Sequence, residues 1–236
     1  MSKMSYDLVK FTEKHKPFGW KDFFNDKNTK LLIENINNHL ENEMFNILPP
    51  IDYIWNAFIH TPFKELKIVV LGMDPYPQDG IANGLSFSSY TCKKIPGSLR
   101  NIYTVLEDKV DGFKAPKHAN LQKWAHQGVL MLNAYLTCKE GEPGSHKYWK
   151  PFTQSLLNYI CKNKDGIIFL VWGAKAKDVS KIINAKQHVL HCMHPSPYNW
   201  GRYPKDREDH FSNCNHFNEA NEILKEQGKK PIDWTL

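Results

Sequence analysis

The chain has no long apolar stretch: its longest unbroken run, "IIFLVW" at 167–172, is six residues, against about 20 for a helix that crosses a bilayer. The opening "MSKMSYDLVKFTEKHKPF" lacks a continuous apolar segment. It does not read as a secretory signal, and an intracellular protein of the cytoplasm or nucleus is expected. No repeat, low-complexity block or glycine-serine linker interrupts the sequence, so one domain over residues 1–236 is expected, with residues 1–45 as a helical covering segment. Cysteine is sparse: Cys92, Cys138, Cys161, Cys192 and Cys214 form an odd, scattered set with no C-x-x-C pair. That argues against a disulfide framework and fits a reducing compartment. Arginine is scarcer still, with Arg100, Arg202 and Arg207 the three among 31 basic residues.

What is present is ordinary for a soluble globular protein, with 41% hydrophobic and 24% charged residues. The net charge of +6 permits contact with a phosphate backbone without requiring it. Seven Trp, ten Tyr and thirteen Phe add faces on which bases can stack.

Apolar spacing in "FFNDKNTKLLIENINNHL" predicts a helix within about residues 20–45, with Leu32, Ile33, Ile36 and Leu40 near one face. From "PPIDYIWNAFIHTPFKELKIVVL" onward, strand, loop and helix alternate about four times. This is the pattern of an α/β fold, a three-layer α/β/α sandwich around a central, mainly parallel four-stranded sheet. The expected strands are "KIVVLG", "VLMLN", "IIFLVWG" and "HVLHCM"; "GSLRNIYTVLEDK", "YWKPFTQSLLNYICKN", "AKAKDVSKIIN" and "NHFNEANEILKEQG" are the expected helices.

Asp74 sits just beyond the first of those strands, between Met73 and Pro75. Prolines at 75 and 77 fix two φ angles and stiffen the loop, although a lone Asp-Pro pair is more commonly a solvated turn. The other strand ends weigh against that bland reading. Asn133 ends the second strand, Gly173 the third, and "HPSPY" (His194 to Tyr198) follows the fourth. In open parallel sheets ligands bind beyond the carboxyl ends of the strands, so these groups are expected to converge. A metal hydrolase is the rival use of the same region, since His188, His191, His194, Cys214 and His216 are competent zinc ligands. Strand alternation, however, sends His191 and His194 to opposite faces.

The loop "GMDPYPQDGIANGLSFS", the strand "VLMLNAYLT", the stretches "LVWGAKA" and "HPSPY", and the tail "CNHFNEANEIL" with "PIDW" together resemble family 1 uracil-DNA glycosylases. The similarity spans roughly residues 45–236, with the motifs in family order. It implies a metal- and cofactor-independent enzyme that flips uracil out of DNA and hydrolyses its N-glycosidic bond, leaving an abasic site. Asp74 is then the water-activating carboxylate and His194 the hydrogen-bond donor to uracil O2. The resemblance gives uracil four further contacts: the Met73 backbone, the Tyr76 ring against the thymine methyl, the Phe87 ring for stacking, and the Asn133 amide to read N3 and O4. Ser98, Gly173, Lys175, Ser196, Tyr198 and Arg202 are the implied DNA contacts. The implied partners are single- or double-stranded uracil-containing DNA, a proteinaceous inhibitor or a DNA polymerase, with no membrane, and the expected state is a monomer.

The chain departs from the family pattern at several positions. Met73 and Pro77 replace the glutamine and histidine of G-Q-D-P-Y-H, and Ala174 stands where the family has a serine. "DPYP" followed by "DG" is similar to the poxvirus branch, whose members also serve as polymerase processivity factors. The alternative reading is therefore a noncatalytic or weakly catalytic DNA-binding module associated with a polymerase. Tyr198 occupies the position of the family's wedge leucine, and about seven extra residues bring Arg202, Lys205 and Arg207 into the following loop.

Overall fold

The computed structural model describes residues 6–90 and 94–236, with the side chains of Phe18, Lys175 and Val179 outside that description. Its helices, in chain order, are α1 (Leu8–His15), α2 (Lys21–Asn25), α3 (Lys27–Glu41), α4 (Asn56–His60), α5 (Gly97–Lys109), α6 (Gln122–Ala125), α7 (Lys150–Asn163), α8 (Ala174–Ser180), α9 (Pro197–Arg202) and α10 (His216–Glu226). The strands are β1 (Ile47–Leu48), β2 (Ile68–Gly72), β3 (Val129–Asn133), β4 (Cys138–Lys139), β5 (Ile168–Trp172) and β6 (His188–Cys192). None of these helices is long and apolar enough to cross a membrane.

Strands β3, β2, β5 and β6 form, in that order, one parallel sheet. Side-chain alternation explains its two cores. Val69, Leu71, Leu130, Leu132, Phe169 and Val171 pack on one face with α2, α3 and α7. Ile68, Val70, Val129, Met131, Ile168, Leu170 and Trp172 pack on the other with α5, α10 and the C-terminal Trp234. Because both faces are covered, β2, β3 and β5 are buried at every residue and read as unbroken apolar runs. Truncating a fully buried side chain such as Leu71 to alanine would cost about 2–5 kcal/mol. The edge strand β6 differs, beginning with the exposed His188 and Val189.

Several helix boundaries depart from the sequence pattern. The helix expected within 20–45 is two helices, α2 and α3, because Asp26 adopts extended backbone and caps α3 by accepting from Thr29 N at 3.0 Å. Helix α7 begins at Lys150 instead of Tyr148, with Pro151 in the first turn where its missing N–H costs nothing. Helix α8 stops at Ser180, short of Asn184. There the Asn184 amide donates to Cys161 O and accepts from Lys186 N, offering the backbone a turn in place of a helix.

Candidate active site

The parallel register brings the ends of β2 and β3 side by side, with Gly72 opposite Asn133. The pairing continues past the strands: Ala134 N donates to Gly72 O at 3.0 Å and Tyr135 N to Met73 O at 2.9 Å. Asp74 is thus anchored one residue beyond a backbone bond. Its carboxylate accepts from the Gly144 amide, contributed by the turn after β4. Burial pushes the Asp74 carboxyl up to about 6, with the Gly144 N–H pulling the other way. At neutral pH Asp74 is therefore ionised, but at a cost.

Met73, Asp74, Tyr76, Pro77, Phe87, Ser98, Asn133 and His194 line one cleft of about 140 Å³. Glycine at 72 leaves room for two of these walls, since a Cβ there would lie 2.6 Å from Asn133 Oδ1 and 3.3 Å from the Phe87 ring. The Tyr76 hydroxyl donates to Phe87 O at 2.9 Å, tying the proline-stiffened loop to the segment after it. Phe87 holds a left-handed backbone, φ 61°, unusual for an aromatic residue and characteristic of functional sites. Its ring lies 5.4 Å from Trp172 and 5.7 Å from His194, centroid to centroid.

His194 is buried enough that its imidazole is pushed down to about 4, leaving it neutral at pH 7. Its Nδ1 accepts from Ser196 N at 3.1 Å. The neutral ring must then carry its proton on Nε2, the other nitrogen, which is free to act as a donor. Gly173, at the end of β5, has φ +95°, and a Cβ there would approach His194 Cβ to 2.8 Å. Its lack of a side chain is what lets the loop after β6 close against β5.

The Uracil DNA glycosylase superfamily model matches residues 58–225. The chain belongs to that superfamily. It is 40% identical to a uracil-DNA glycosylase of Campylobacter lari over 223 residues, 92% of this chain and 93% of that protein. A Vibrio parahaemolyticus uracil-DNA glycosylase is 42% identical over 193 residues, 80% of this chain and 82% of that one. Among solved structures, mimivirus uracil-DNA glycosylase superposes with a TM-score of 0.81 at 34% identity, covering 92% of this chain and 86% of its own. A tyrosine-to-leucine variant of mimivirus UNG in complex with UGI gives 0.85 at 33% identity, covering 97% and 92%. The four-stranded parallel α/β fold expected from the sequence is the fold of these glycosylases.

The remaining site residues expected from the glycosylase resemblance belong to α5, α8, and the loop and helix that follow β6. Ser98 sits in the first turn of α5, whose start packs so closely on Pro197 that a Cβ at Gly97 would come within 2.4 Å of Pro197 Cγ. Asn101, one turn on, donates to Pro195 O at 2.9 Å, fastening α5 to the "HPSP" loop. Ser196 caps α9 by accepting from Asn199 N at 3.3 Å. Tyr198 is 62% exposed, and the Arg202 guanidinium lies 5.1 Å from its ring centroid. The side chain of Lys175 lies outside the described residues.

Arg207, one of the three cations of the inserted loop, is held by Asp209 through bonds of 2.9 and 3.2 Å from Nε and Nη2. The rival zinc set does not assemble, as strand alternation implies: His194 lines the cleft, and among the described residues the close donor group is Cys192, Cys214 and His216. Cys192 is not among the ligands that the sequence reading offers. Sequence reading also missed Gly144 and Trp172. The "EPGS" turn is visible in the sequence, but nothing local says that Gly144 reaches a carboxylate 70 residues away. Trp172 reads as one more apolar strand residue until its contact with Phe87 is seen.

Proposed function

We propose that the protein is a DNA repair glycosylase that flips uracil out of DNA and hydrolyses its N-glycosidic bond, releasing uracil and leaving an abasic site. The observation that carries this reading is an ionised Asp74 and a neutral His194, with its proton on Nε2, lining one small cleft. As the C1′–N1 bond breaks, its electron pair leaves with uracil and the sugar becomes cationic. The Asp74 carboxylate stabilises that cation and orients the water that adds to C1′. His194 Nε2–H donates to uracil O2, where negative charge develops, and a neutral donor suffices because it is aimed at charge formed in the transition state. The Met73 backbone N–H offers O2 a second donor, so the replacement of the family glutamine removes no necessary group. The Pro77 ring offers no hydrogen bond to water, which leaves Asp74 as the water's holder.

Selectivity follows from the other walls. The Asn133 amide offers an acceptor to N3–H and a donor to O4, whereas cytosine presents the opposite pattern and would leave buried groups unpaired. Tyr76, fixed by its bond to Phe87 O, fills the space of a thymine methyl. Phe87 stacks on the flipped ring. Ser98, Gly173, Lys175, Ser196 and Arg202 contact the DNA backbone, and Tyr198 enters the space the base vacates.

Uracil-containing DNA, single- or double-stranded, is the substrate partner. The similarity to mimivirus UNG variants in complex with UGI supports a proteinaceous inhibitor as a second. The protein acts as an intracellular monomer. A uracil-containing oligonucleotide incubated with the protein in chelator, then treated with alkali, is expected to break at uracil and to yield free base. DNA binding without release would instead favour the polymerase-associated module.

A further inference from the structure

Cys192 ends β6, Cys214 lies in the turn before α10, and His216 opens that helix. All three are buried, at 3%, 4% and 7% exposure, and one donor atom from each falls within 4.8 Å of the others. Two thiols and an imidazole are a soft donor set. Thiolates favour d10 ions such as copper(I) and zinc(II) over the hard cations that carboxylates and carbonyls hold. Donors bound to one such ion at about 2.3 Å lie roughly 4 Å apart, so side-chain adjustments of under about an ångström would close the group on a metal. Structural zinc sites are four-coordinate. Among the described residues this group offers three donors, and its burial leaves little room for water to supply a fourth.

We propose that Cys192, Cys214 and His216 form a three-coordinate site for one soft monovalent d10 cation, copper(I), which takes no part in glycosidic cleavage. Loading the site displaces the thiol protons. It also rearranges His216, whose Nδ1 now accepts from Trp172 Nε1 at 3.1 Å. Metal on Nδ1 replaces that bond. Metal on Nε2 moves the ring proton to Nδ1, where it opposes the Trp172 N–H. Either way, binding the ion releases the indole donor, a cost the two metal–sulfur bonds must exceed.

The test is an anaerobic titration of the reduced full-length protein with copper(I) against a chromogenic competitor, with a parallel zinc(II) arm. One equivalent of copper(I) is expected to bind, more tightly than zinc(II). Cys192→Ser and His216→Gln should each weaken copper(I) binding by at least about a hundredfold, since even partners outside a metal's ligand set commonly matter by 10–100-fold. Copper affinity unchanged in both variants would overturn the site, because Cys92, Cys138 or Cys161 would then be the ligands. Tighter zinc(II) than copper(I) binding would overturn the three-coordinate assignment. Should a variant fail to fold, X-ray absorption on the loaded wild-type protein decides. Two sulfurs and one nitrogen around copper support the site, and an all-sulfur shell rejects it.

Discussion

The cleft around Asp74 and the segment from Tyr198 to His210 are neighbours built by opposite means. In the cleft, Asp74, Asn133 and His194 leave the ends of three strands of one sheet, and hydrogen bonds from part-buried main chain hold Asp74 and His194 in place. In the segment, rings and cations stack in the open: Arg202 on Tyr198 and Tyr203, Lys205 on Trp200, and Arg207 on Tyr203, at 5.1 to 5.9 Å. Its backbone is tied down locally, with Met193 N donating to Asp209 O at 2.8 Å and the Asn213 amide donating to Lys205 O and Arg207 O. The difference separates two demands. A reacting group needs a fixed position and a low dielectric, while a surface that meets DNA needs exposed charge and faces that can change partners.

The sharpest way to break the contrast is Asp74→Asn. The cleavage rate is expected to fall about a thousandfold while DNA affinity changes little, because the carboxylate acts mainly on the transition state. Single-turnover kinetics alongside binding would expose the opposite pattern. The same change should stabilise the protein. Burial raises the Asp74 carboxyl from 3.8 to about 6, a gap equivalent to at most about 3 kcal/mol against the charged form at neutral pH. The sign follows from linkage: below pH 3.8 both folded and unfolded states are protonated and nothing is lost. Between 3.8 and about 6 the unfolded chain ionises first and stability falls, and above 6 the loss is complete. Replacing the acid by its amide should thus raise Tm at pH 7.5 and not at pH 3.5. In the native enzyme, the rate should drop roughly tenfold per pH unit below about 6. His194, held near 4, would contribute a break only at lower pH.

Selectivity comes next in size. Asn133→Asp should lose uracil activity and gain measurable cytosine release, and Tyr76→Ala should admit thymine at about 10–200-fold lower discrimination, the usual worth of a methyl group in a pocket. Competition between bases in one mixed oligonucleotide measures both. If neither variant broadens the range, the cleft walls have been misassigned.

The exposed segment should yield the smaller effects. Tyr198→Ala is expected to slow excision from duplex about tenfold, roughly 1.4 kcal/mol, and from single strands much less, where little unstacking is needed. Equal losses on both would remove the wedge. Charge removal should separate the three cations: Arg202→Ala and Lys205→Ala should each reduce the salt slope of binding by about 1. Arg207→Ala should leave it unchanged, because Asp209 already neutralises that guanidinium. A slope that falls with Arg207 would mean that DNA displaces the ion pair.

The parallel sheet and the order of its strand ends were legible in the sequence because they follow from local rules. Runs of buried β-branched residues specify strands covered on both faces, and alternation with amphipathic segments implies crossover helices. Asp74, Asn133, Gly173 and His194 could be expected together for that reason alone, and the glycosylase resemblance supplied their roles. Helix ends were less legible, since Asp26 and Asn184 compete for backbone bonds in ways that periodicity does not register. What only the tertiary structure decided were the contacts that set protonation. Gly144 reaches Asp74 from 70 residues away, the Ser196 amide selects the His194 tautomer, and Asp209 pairs with Arg207. Each depends on a partner brought up by the fold, which sequence does not carry: the same aspartate or histidine has a different charge in a different dielectric, and the same arginine a different partner.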